Sequence, residues 1–553
     1  MAIKDLGAVT AYAYAVDGGY TGTEAEFEEA MAAVPNAAET ITTIDAIATT
    51  GAAGSSASVI YDKESNLLEF TIPRGDPGEF GGKIFGAKWN RLTNQLTRTR
   101  DATGITTTTT NFAHHGSINS SYNNPFDGIY PWSDIIVCDV DLTKYRNGDR
   151  LKDCISAVYG DPDFTYECSQ NLFVGRYIPE FWYRSEEDSE GNVEFMVAQV
   201  EHTGFTHFPA VIVGVGDCVD VGDSKVSAGA GVPLTNISVS TIHSRAKSSG
   251  FTLRDIKTLD GEIVLYLVEY ANMNIQAAIG NGCSNCYRQD ASDTISSVSV
   301  DTDSTTITVT DSALSAVVFK GSQISIGTTS GATTYKAIVK DFSVDNDVYT
   351  IILDRPLSSV TTGMYVSVHG FSACEFDIVS SSVGHRSGYI GTNGRANVYY
   401  RGGVLFANRY MYTLGIYRQG GTNHIWLCPN TLDPDDYDAL NTSVHTDTGI
   451  ALPDLESASW QTVGGNAQRI PGLFGFMATG VSSGSSSSPV GDQQYVPLKS
   501  ASNTILLFGG NANNDWNDGV FYGNWNNDAG NSNWNYAGLP IPHAFYKFER
   551  TLN

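Results

Sequence analysis

Residues 511–535 read NANNDWNDGVFYGNWNNDAGNSNWN, and ten of these twenty-five residues are asparagine. A tryptophan-centred unit recurs every nine positions, as Asp515-Trp516-Asn517, Asn524-Trp525-Asn526 and Asn533-Trp534-Asn535. Because asparagine is a poor helix and strand former that suits turns and exposed loops, the stretch is predicted to be surface, held at intervals by its aromatic residues. Amides donate and accept hydrogen bonds, and Trp and Tyr add rigid apolar area. The stretch therefore indicates a binding face, with a glycine-rich structural loop as the alternative.

The composition excludes several functional classes. The chain has 553 residues, which predicts several domains, and only 17% of them are charged, which is typical of β-rich proteins. A net charge of -27 argues against binding to nucleic acid or to an anionic membrane surface. No segment is long and apolar enough to insert into a bilayer. Residues 1–20 lack a basic stretch followed by an apolar run, so we expect no secretion signal.

The N-terminal eighty residues are predicted to form a helix followed by a stem. Thr23 and Glu26 have capping-box spacing, an apolar stripe runs from Phe27 to Val34, and Pro35 is expected to end the helix. Residues 37–58 contain few large apolar groups and can bury little surface within one chain. Several identical chains packed into a rod would bury more apolar surface than one chain can. The boundaries are therefore an N-terminal segment at 1–36 and a stem and hinge at 37–82.

The sequence of residues 83–553 indicates one domain that is interrupted by a second, inserted domain. Residues 83–291 and 371–553 share a strand- and loop-rich composition, and helices are predicted at 241–248 and 255–269. Residues 292–370 change to strictly alternating Ser, Thr, Val and Asp, which predicts half-buried strands of a small all-β domain. The fold class is accordingly multidomain and mainly β, with an α+β domain that carries an inserted β domain.

Five motifs, in this order, resemble the variable tail proteins of phages and prophages that are diversified by retroelements. They are Lys88-Trp89-Asn90, Phe126-Asp127-Gly128-Ile129-Tyr130-Pro131-Trp132, Ile178-Pro179-Glu180-Phe181-Trp182-Tyr183, Tyr266-Leu267-Val268-Glu269-Tyr270-Ala271-Asn272 and Tyr400-Arg401-Gly402-Gly403. The resemblance covers most of residues 82–553 apart from the insertion. The chain departs from the family pattern at 404–408, where it has Val-Leu-Phe-Ala-Asn instead of Glu-Asn and a Trp-Gly-Asn segment.

The resemblance implies a C-type-lectin-like fold with a variable receptor-binding face, here at about residues 507–540. Retroelement diversification rewrites adenines, so adenine-rich asparagine codons would vary, and tryptophan codons, which contain no adenine, would remain as the scaffold Trp516, Trp525 and Trp534. The candidate contact positions are Asn511, Asn513, Asn514, Asn517, Tyr522, Asn524, Asn526, Asn527, Asn531, Asn533, Asn535 and Tyr536.

The resemblance also implies partners and a location. Residues 1–36 would attach to a phage tail or baseplate protein, and residues 37–82 would form the stem of a homotrimer in the virion tail fibre. The chain would be made in the host cytoplasm, and its partner would be a host cell-surface protein or glycan. The expected function is adsorption, not catalysis. The alternatives are a tail-spike glycosidase acting on surface polysaccharide and a cell-surface adhesin.

Metal and catalytic chemistry receive weaker support from the sequence, and no cofactor is expected. Trp516-Asn517-Asp518 matches a calcium-binding tripeptide of sugar-binding lectins, but the companion Glu-Pro-Asn or Gln-Pro-Asp is absent. A structural Ca²⁺ could instead bind the acidic run that contains Asp433, Asp435, Asp436 and Asp438, for which a solvated turn is the alternative. Cys283 and Cys286 could form a disulfide, pack as core thiols or bind a metal. Glu186 and Asp188 form a carboxylate pair, but their polar context predicts an exposed hairpin tip.

Overall fold

The computed structural model describes most of the chain and divides it into two compact units, Met1–Gly82 and Lys83–Asn553. Strands predominate over helices among the described residues, so the mainly β, multidomain class is confirmed. The described residues are 12–13, 15–16, 18–32, 45–51, 58–62, 67–73, 82–107, 124–279, 282–283, 286–299, 304–310, 313–374, 398–406, 408–428, 439–463, 467–478, 492–514 and 517–542.

The first unit contains one described helix of nine residues, α1 (Glu24–Ala32). The predicted capping box is confirmed, because the Thr23 amide donates to Glu26 Oε2 at 2.6 Å and the Glu26 amide donates to Thr23 Oγ1 at 3.3 Å. Phe27 contacts the rings of Tyr12 and Tyr20 at centroid distances of 5.6 and 5.7 Å. The helix ends at Ala32, three residues before the predicted stop at Pro35.

A three-stranded sheet follows in the same unit, with strands β1 (Asp45–Gly51), β2 (Ser58–Asp62) and β3 (Leu67–Pro73) in the order β1-β3-β2. Strand β1 lies in the residues that were predicted to form a stem. It pairs with β3 in parallel, from Asp45 opposite Leu67 to Gly51 opposite Pro73. Backbone pairing therefore orders a segment that is poor in large apolar side chains.

The second unit begins with three sheets and four helices. Strands β9 and β10 form the expected hairpin in a five-stranded sheet of order β11-β9-β10-β4-β5, and a four-stranded sheet has the order β12-β8-β6-β7. The elements are β4 (Ile84–Asn90), β5 (Gln95–Arg100), β6 (Ile136–Asp141), α2 (Leu142–Arg146), β7 (Ile155–Val158), β8 (Leu172–Ile178), β9 (Phe181–Glu187), β10 (Val193–Ala198), β11 (Thr206–Phe208), β12 (Val211–Gly214), β13 (Cys218–Asp220), β14 (Val226–Ala228), α3 (Val239–Ser249), β15 (Phe251–Leu253), α4 (Ile256–Tyr270) and α5 (Ile275–Ile279).

Helix α4 is the centre of the second unit. All of its residues except Lys257 are buried, because it packs against β4 and β10 on one side and against the later strand at Tyr410–Arg418 on another. Its buried carboxylates bind distant parts of the chain. Asp260 accepts the amides of residues 474–476, Glu262 pairs with Arg176 and Arg254, and Glu269 pairs with Arg401.

The inserted domain is a closed six-stranded barrel of order β16-β17-β20-β19-β18-β21. It spans residues 287–371, against the predicted 292–370, and the alternating runs at 305–310 and 348–353 provide β17 and β20. Their inward residues, such as Ile307, Val309 and Ile351, are wholly buried in a separate apolar core. The strands are β16 (Tyr287–Val298), β17 (Thr306–Thr310), β18 (Ser322–Gly327), β19 (Tyr335–Asp345), β20 (Val348–Leu353) and β21 (Tyr365–Phe371).

After the barrel, the chain completes the domain that the barrel interrupts. An eight-stranded sheet has the order β26-β25-β24-β31-β32-β30-β27, with β33 beside β24, and β34 pairs with β15 from the first part. The strands are β22 (Val398–Tyr400), β23 (Gly403–Phe406), β24 (Tyr410–Arg418), β25 (His424–Leu427), β26 (Thr446–Ala451), β27 (Ser459–Thr462), β28 (Gln468–Arg469), β29 (Met477–Ala478), β30 (Gln493–Val496), β31 (Thr504–Phe508), β32 (Gly523–Asn527), β33 (Tyr536–Ala537) and β34 (Pro540–Pro542).

Candidate recognition surface

The asparagine-rich stretch is built around a strand, which the composition did not predict. Strand β32 lies inside the eight-stranded sheet, antiparallel to β31 and parallel to β30. Successive side chains of a strand point to opposite faces. Gly523, Trp525 and Asn527 are accordingly buried, Asn524 is half-buried and Asn526 is exposed. The pleat of one strand therefore decides which asparagines reach solvent.

Trp525 anchors this strand to the core. Its side chain is wholly buried, and its indole Nε1 donates to Gln494 Oε1 at 3.0 Å. Gln494 is itself buried and donates through Nε2 to the carbonyl oxygens of Met477 at 2.8 Å and Phe521 at 3.2 Å. Because each polar group in this arrangement has a partner, the indole is buried without an unmet hydrogen bond.

Four of the predicted contact positions are inside the molecule, so the prediction that they belong to the surface is wrong. Asn511, Tyr522, Asn527 and Tyr536 are at most 9% exposed. The Tyr522 hydroxyl lies 2.8 Å from that of Tyr410, and the Tyr536 hydroxyl donates to Asn527 Oδ1 at 2.6 Å. Burial also raises the pKa of Tyr522 well above its ordinary value. Asn511 Oδ1 accepts the amide of Asn513 at 2.8 Å. All four side chains are therefore hydrogen-bonded inside the molecule instead of facing a partner.

Trp534 joins the stretch to the barrel. Its half-buried ring stacks on His369 of β21 and Tyr287 of β16, with centroid distances of 4.7 and 4.8 Å and interplanar angles of 17°. The neighbouring Asn533 carbonyl accepts the amide of Asn236 at 3.0 Å, and Asn236 Nδ2 donates to Thr333 Oγ1 of the barrel at 2.6 Å. The end of the stretch is thus held by two other parts of the second unit. Trp516 lies outside the described residues.

Several asparagine amides hold turns of their own segment. Asn524 Oδ1 accepts the amide of Asn526 at 2.9 Å, and Asn533 Oδ1 accepts that of Trp534 at 2.8 Å. Asn514 Oδ1 accepts the amide of Asn511 at 3.0 Å. These are the local side-chain to backbone bonds for which asparagine is favoured in turns. The structural alternative to a binding face therefore explains part of the asparagine content.

The remaining predicted positions are exposed or half-buried. We call them the recognition surface: Asn513, Asn526, Asn531 and Asn533, which are exposed, and Asn514, Asn517, Asn524 and Asn535, which are half-buried. The side chains of Asn513 and Asn526 make no hydrogen bond to any residue that the structure describes. Their amides can donate to and accept from a partner without disturbing the fold.

Residues far away in sequence support this surface and were not singled out by the sequence. Tyr412 donates to the Asn531 carbonyl at 3.0 Å, and Tyr410, Gln494, Asn236 and His369 hold the contacts given above. Each lies in a strand or loop whose composition is unremarkable, so no local pattern identifies them. The pairing of β24, β30, β31 and β32 brings Tyr410, Tyr412 and Gln494 beside the asparagine-rich stretch. Asn236 reaches the stretch from a loop, and His369 reaches it from β21 of the barrel.

The structure gives little support to metal binding or to catalysis by paired carboxylates. Within the described ranges, no group of three or more His, Cys, Asp or Glu side chains could hold a metal ion. The acidic run at 433–438 lies outside those ranges. Cys283 and Cys286 are buried thiols and not a disulfide. The predicted carboxylate pair is divided between two cations, because Asp188 pairs with Lys88 at 2.9 Å and Glu186 pairs with Arg184 at 2.5 Å.

No protein-family model matches the chain, and no curated protein matches it. In the part of the chain that the structure describes, no helix has the length and apolar character needed to cross a membrane.

Proposed function

We propose that this chain is a receptor-binding protein of a phage tail fibre and that its recognition surface contacts a receptor on the host cell. The observation that carries the proposal is the division of β32 and its flanking turns. Trp525 and Tyr522 are wholly buried, while Asn513, Asn526, Asn531 and Asn533 are exposed on the same short segment. A surface with a fixed aromatic foundation and replaceable outer side chains suits adsorption to changing receptors.

We further propose that residues 83–291 and 371–553 together are a C-type-lectin-like domain. Three features support it: the pairing of β15 with β34, the helices α3 and α4, and the sheet that carries the recognition surface near the carboxyl end. In this proposal the barrel is an accessory domain whose β16 and β21 support Trp534.

Retroelement diversification is proposed for the recognition surface only. Random replacement at Tyr522 or Asn527 would break buried hydrogen bonds, so a diversified repertoire that included them would contain many unstable members. The flanking DNA tests this proposal. We expect a near-copy of the codons for residues 507–540 that differs at adenines, with the differences concentrated in the eight codons of the recognition surface. A copy that differs equally at other bases contradicts it.

Avidity is the proposed mechanism of attachment. We propose that residues 1–36 bind a tail or baseplate protein and that residues 37–82 trimerise, so that each fibre of the virion presents three recognition surfaces. Linked sites bind a dense receptor array far more tightly than one site does. Light scattering of the full chain tests the stoichiometry, and a monomeric mass would contradict it.

The central experiment compares adsorption of matched variants to host cells. The double variant Asn513→Ala/Asn526→Ala removes two exposed amides that make no described hydrogen bond, and it should lose adsorption while its thermal unfolding is unchanged. The control Gln95→Ala/Asn147→Ala removes two exposed polar side chains elsewhere in the unit and should adsorb normally. Equal adsorption by both variants would contradict the proposed site.

We propose an adsorption role without catalysis, and the same material tests this point. Purified host surface polysaccharide is incubated with the full chain, and its length is followed by size-exclusion chromatography. The proposal expects binding without shortening. A progressive decrease in polymer length would identify a tail-spike glycosidase instead.

A further inference from the structure

A cavity of about 450 Å³ lies where the barrel meets the loops of the first part of the second unit. Its lining includes Cys168, Asp220, Leu234, Lys336 and Arg355. The volume is within the usual range of small-molecule sites, which combine apolar walls with a few polar groups that fix orientation. Nothing in the proposed adsorption surface uses this cavity.

Lys336 is the polar group that distinguishes the cavity. It lies on β19 and is half-buried, and its Nζ donates to Thr235 Oγ1 at 2.8 Å and, more weakly, to the Thr235 carbonyl at 3.4 Å. Among the residues that the structure describes, no carboxylate forms an ion pair with this ammonium. A half-buried cation without a counter-ion is costly, and an anion that enters the cavity would relieve that cost.

The other charges at the cavity are already neutralised. Arg355 pairs with Asp354 at 2.6 Å, and Asp220 pairs with Arg245 at 2.6 Å. Each of these two charges has an opposite charge beside it, so Lys336 contributes most of the uncompensated charge at the cavity. Lys336 is therefore the cation of this cavity that an entering anion would meet without a competing carboxylate among the described residues.

We propose that this cavity binds the uronic acid unit of an acidic glycan, with the Lys336 ammonium pairing with the sugar carboxylate. Val219, Val221, Pro233 and Leu234 supply apolar walls of the kind that the C–H face of a pyranose ring contacts. A single flexible ammonium suits a carboxylate, whereas phosphate sites usually draw on arginine forks or convergent backbone amides.

The position of the cavity places it next to the recognition surface. Residues 230–234 line the cavity, and the same loop continues to Asn236, whose amide donates to the Asn533 carbonyl at 3.0 Å. A glycan held by its uronic acid could therefore extend toward the asparagine-rich stretch. Binding in the cavity does not depend on the proposed adsorption function, and a purified monosaccharide tests it without cells.

Lys336 also gives the proposed site a pH dependence. Burial, with a smaller contribution from the Arg409 guanidinium, lowers the pKa of Lys336 to about 8. The charged groups around it are Arg409 with Asp217, Arg355 with Asp354, and Asp220 with Arg245. His369 is the neighbouring titratable group, and burial, Arg409 and Lys336 lower its pKa to about 3. Burial raises the pKa of Cys168 to about 12, so that thiol stays neutral. Deprotonation of Lys336 removes the counter-charge, so affinity for the carboxylate should fall as the pH rises through 8.

The test is a calorimetric titration of the full chain with glucuronate and, as a neutral match, glucose. We expect glucuronate to bind at pH 7 and glucose to bind at least about tenfold more weakly, since a charge-assisted bond is lost. Lys336→Met should reduce glucuronate affinity by at least about tenfold, whereas Lys336→Arg should retain most of it. The control Lys340→Met removes an exposed lysine of the same strand and should leave the affinity for glucuronate unchanged.

Several results would overturn the proposal: no glucuronate binding at millimolar concentrations, equal binding of glucose, unchanged affinity in Lys336→Met, or tighter binding of inorganic phosphate than of glucuronate. Thermal unfolding of each variant distinguishes loss of the site from loss of the fold. If Lys336→Met unfolds, Lys336→Gln and the pH profile of the unaltered chain decide the question. Because no cells are involved, failure here leaves the adsorption experiment unaffected.

Discussion

Asn524-Trp525-Asn526 and Asn533-Trp534-Asn535 have the same sequence and occupy different environments. The first belongs to a strand inside the eight-stranded sheet, and its indole is wholly buried. The second lies in a turn, and its half-buried indole stacks on His369 and Tyr287 of the barrel. The comparison teaches that strand pairing, and not the tripeptide, determines whether the tryptophan belongs to the core. Mutations in and around the two tripeptides test how different their environments are.

The largest effect is expected for the buried tryptophan. Trp525→Ala should lower the free energy of unfolding by about 3–5 kcal/mol, because it leaves a cavity in the core of the sheet. It also leaves Gln494 Oε1 without the indole donor. Urea denaturation followed by circular dichroism measures the change.

Trp525→Phe separates packing from hydrogen bonding at the same site. It keeps most of the ring volume but removes the indole N–H, so we expect a smaller loss of about 1–3 kcal/mol. If Trp525→Ala and Trp525→Phe were equally stable to within experimental error, the tight burial described for this indole would be wrong.

The tryptophan of the second tripeptide should matter less. Trp534→Ala removes two ring stacks, each of which contributes about 0.5–1.5 kcal/mol, so the expected loss is roughly 1–3 kcal/mol. Trp534→Tyr should restore most of it, because a phenol ring can stack in the same place. If Trp534→Ala lowered the free energy of unfolding as much as Trp525→Ala does, the distinction between a tryptophan in the core and one stacked on the barrel would be wrong.

The contact between Trp534 and the barrel should depend on pH through His369. Burial lowers the pKa of His369 to about 3, with smaller contributions from Arg409 and Lys336, so the imidazole is neutral in the folded protein. In the unfolded chain it binds a proton below about pH 6.5. Its contribution to stability is therefore complete above pH 6.5 and decreases as the pH falls toward 3, by at most about 1.4 kcal/mol per pH unit.

The variant His369→Phe keeps a stacking ring and does not titrate. The stability difference between the unaltered chain and this variant should therefore shrink between pH 7 and pH 5, measured by urea denaturation. The comparison is necessary because Asp492 titrates in the opposite sense: burial raises its pKa to about 8, which favours the folded state as the pH falls. A stability difference that stays constant with pH would contradict a neutral, buried His369.

Local patterns predicted the elements that depend on neighbours in sequence. The capping box of Thr23 and Glu26 is confirmed, and the helices expected at 241–248 and 255–269 appear as α3 (Val239–Ser249) and α4 (Ile256–Tyr270). The alternating runs of the inserted domain appear as strands, because a period of two is set by the pleat itself.

Features that depend on distant partners were not predictable in the same way. The asparagine-rich stretch was expected to be surface throughout, because asparagine is a poor strand former, but pairing with β30 and β31 makes part of it a strand. Asn527 within that strand and Tyr522 just before it are buried, although both were among the candidate contact positions. The stack of Trp534 on His369 joins residues 165 positions apart, and no local signal reports it.

The smallest expected effect concerns two adjacent asparagines of β32. Asn527 is buried and accepts the Tyr536 hydroxyl at 2.6 Å, whereas the side chain of its neighbour Asn526 is exposed. Asn527→Ala should lower the free energy of unfolding by about 1–2 kcal/mol, and Asn526→Ala should change it by less than about 0.5 kcal/mol. Urea denaturation measures both changes. Under the proposed adsorption role, adsorption to host cells should show the reverse order, because the Asn526 side chain reaches solvent and that of Asn527 does not. A stable Asn527→Ala variant with impaired adsorption would contradict the assignment of the receptor contact to the exposed side of β32.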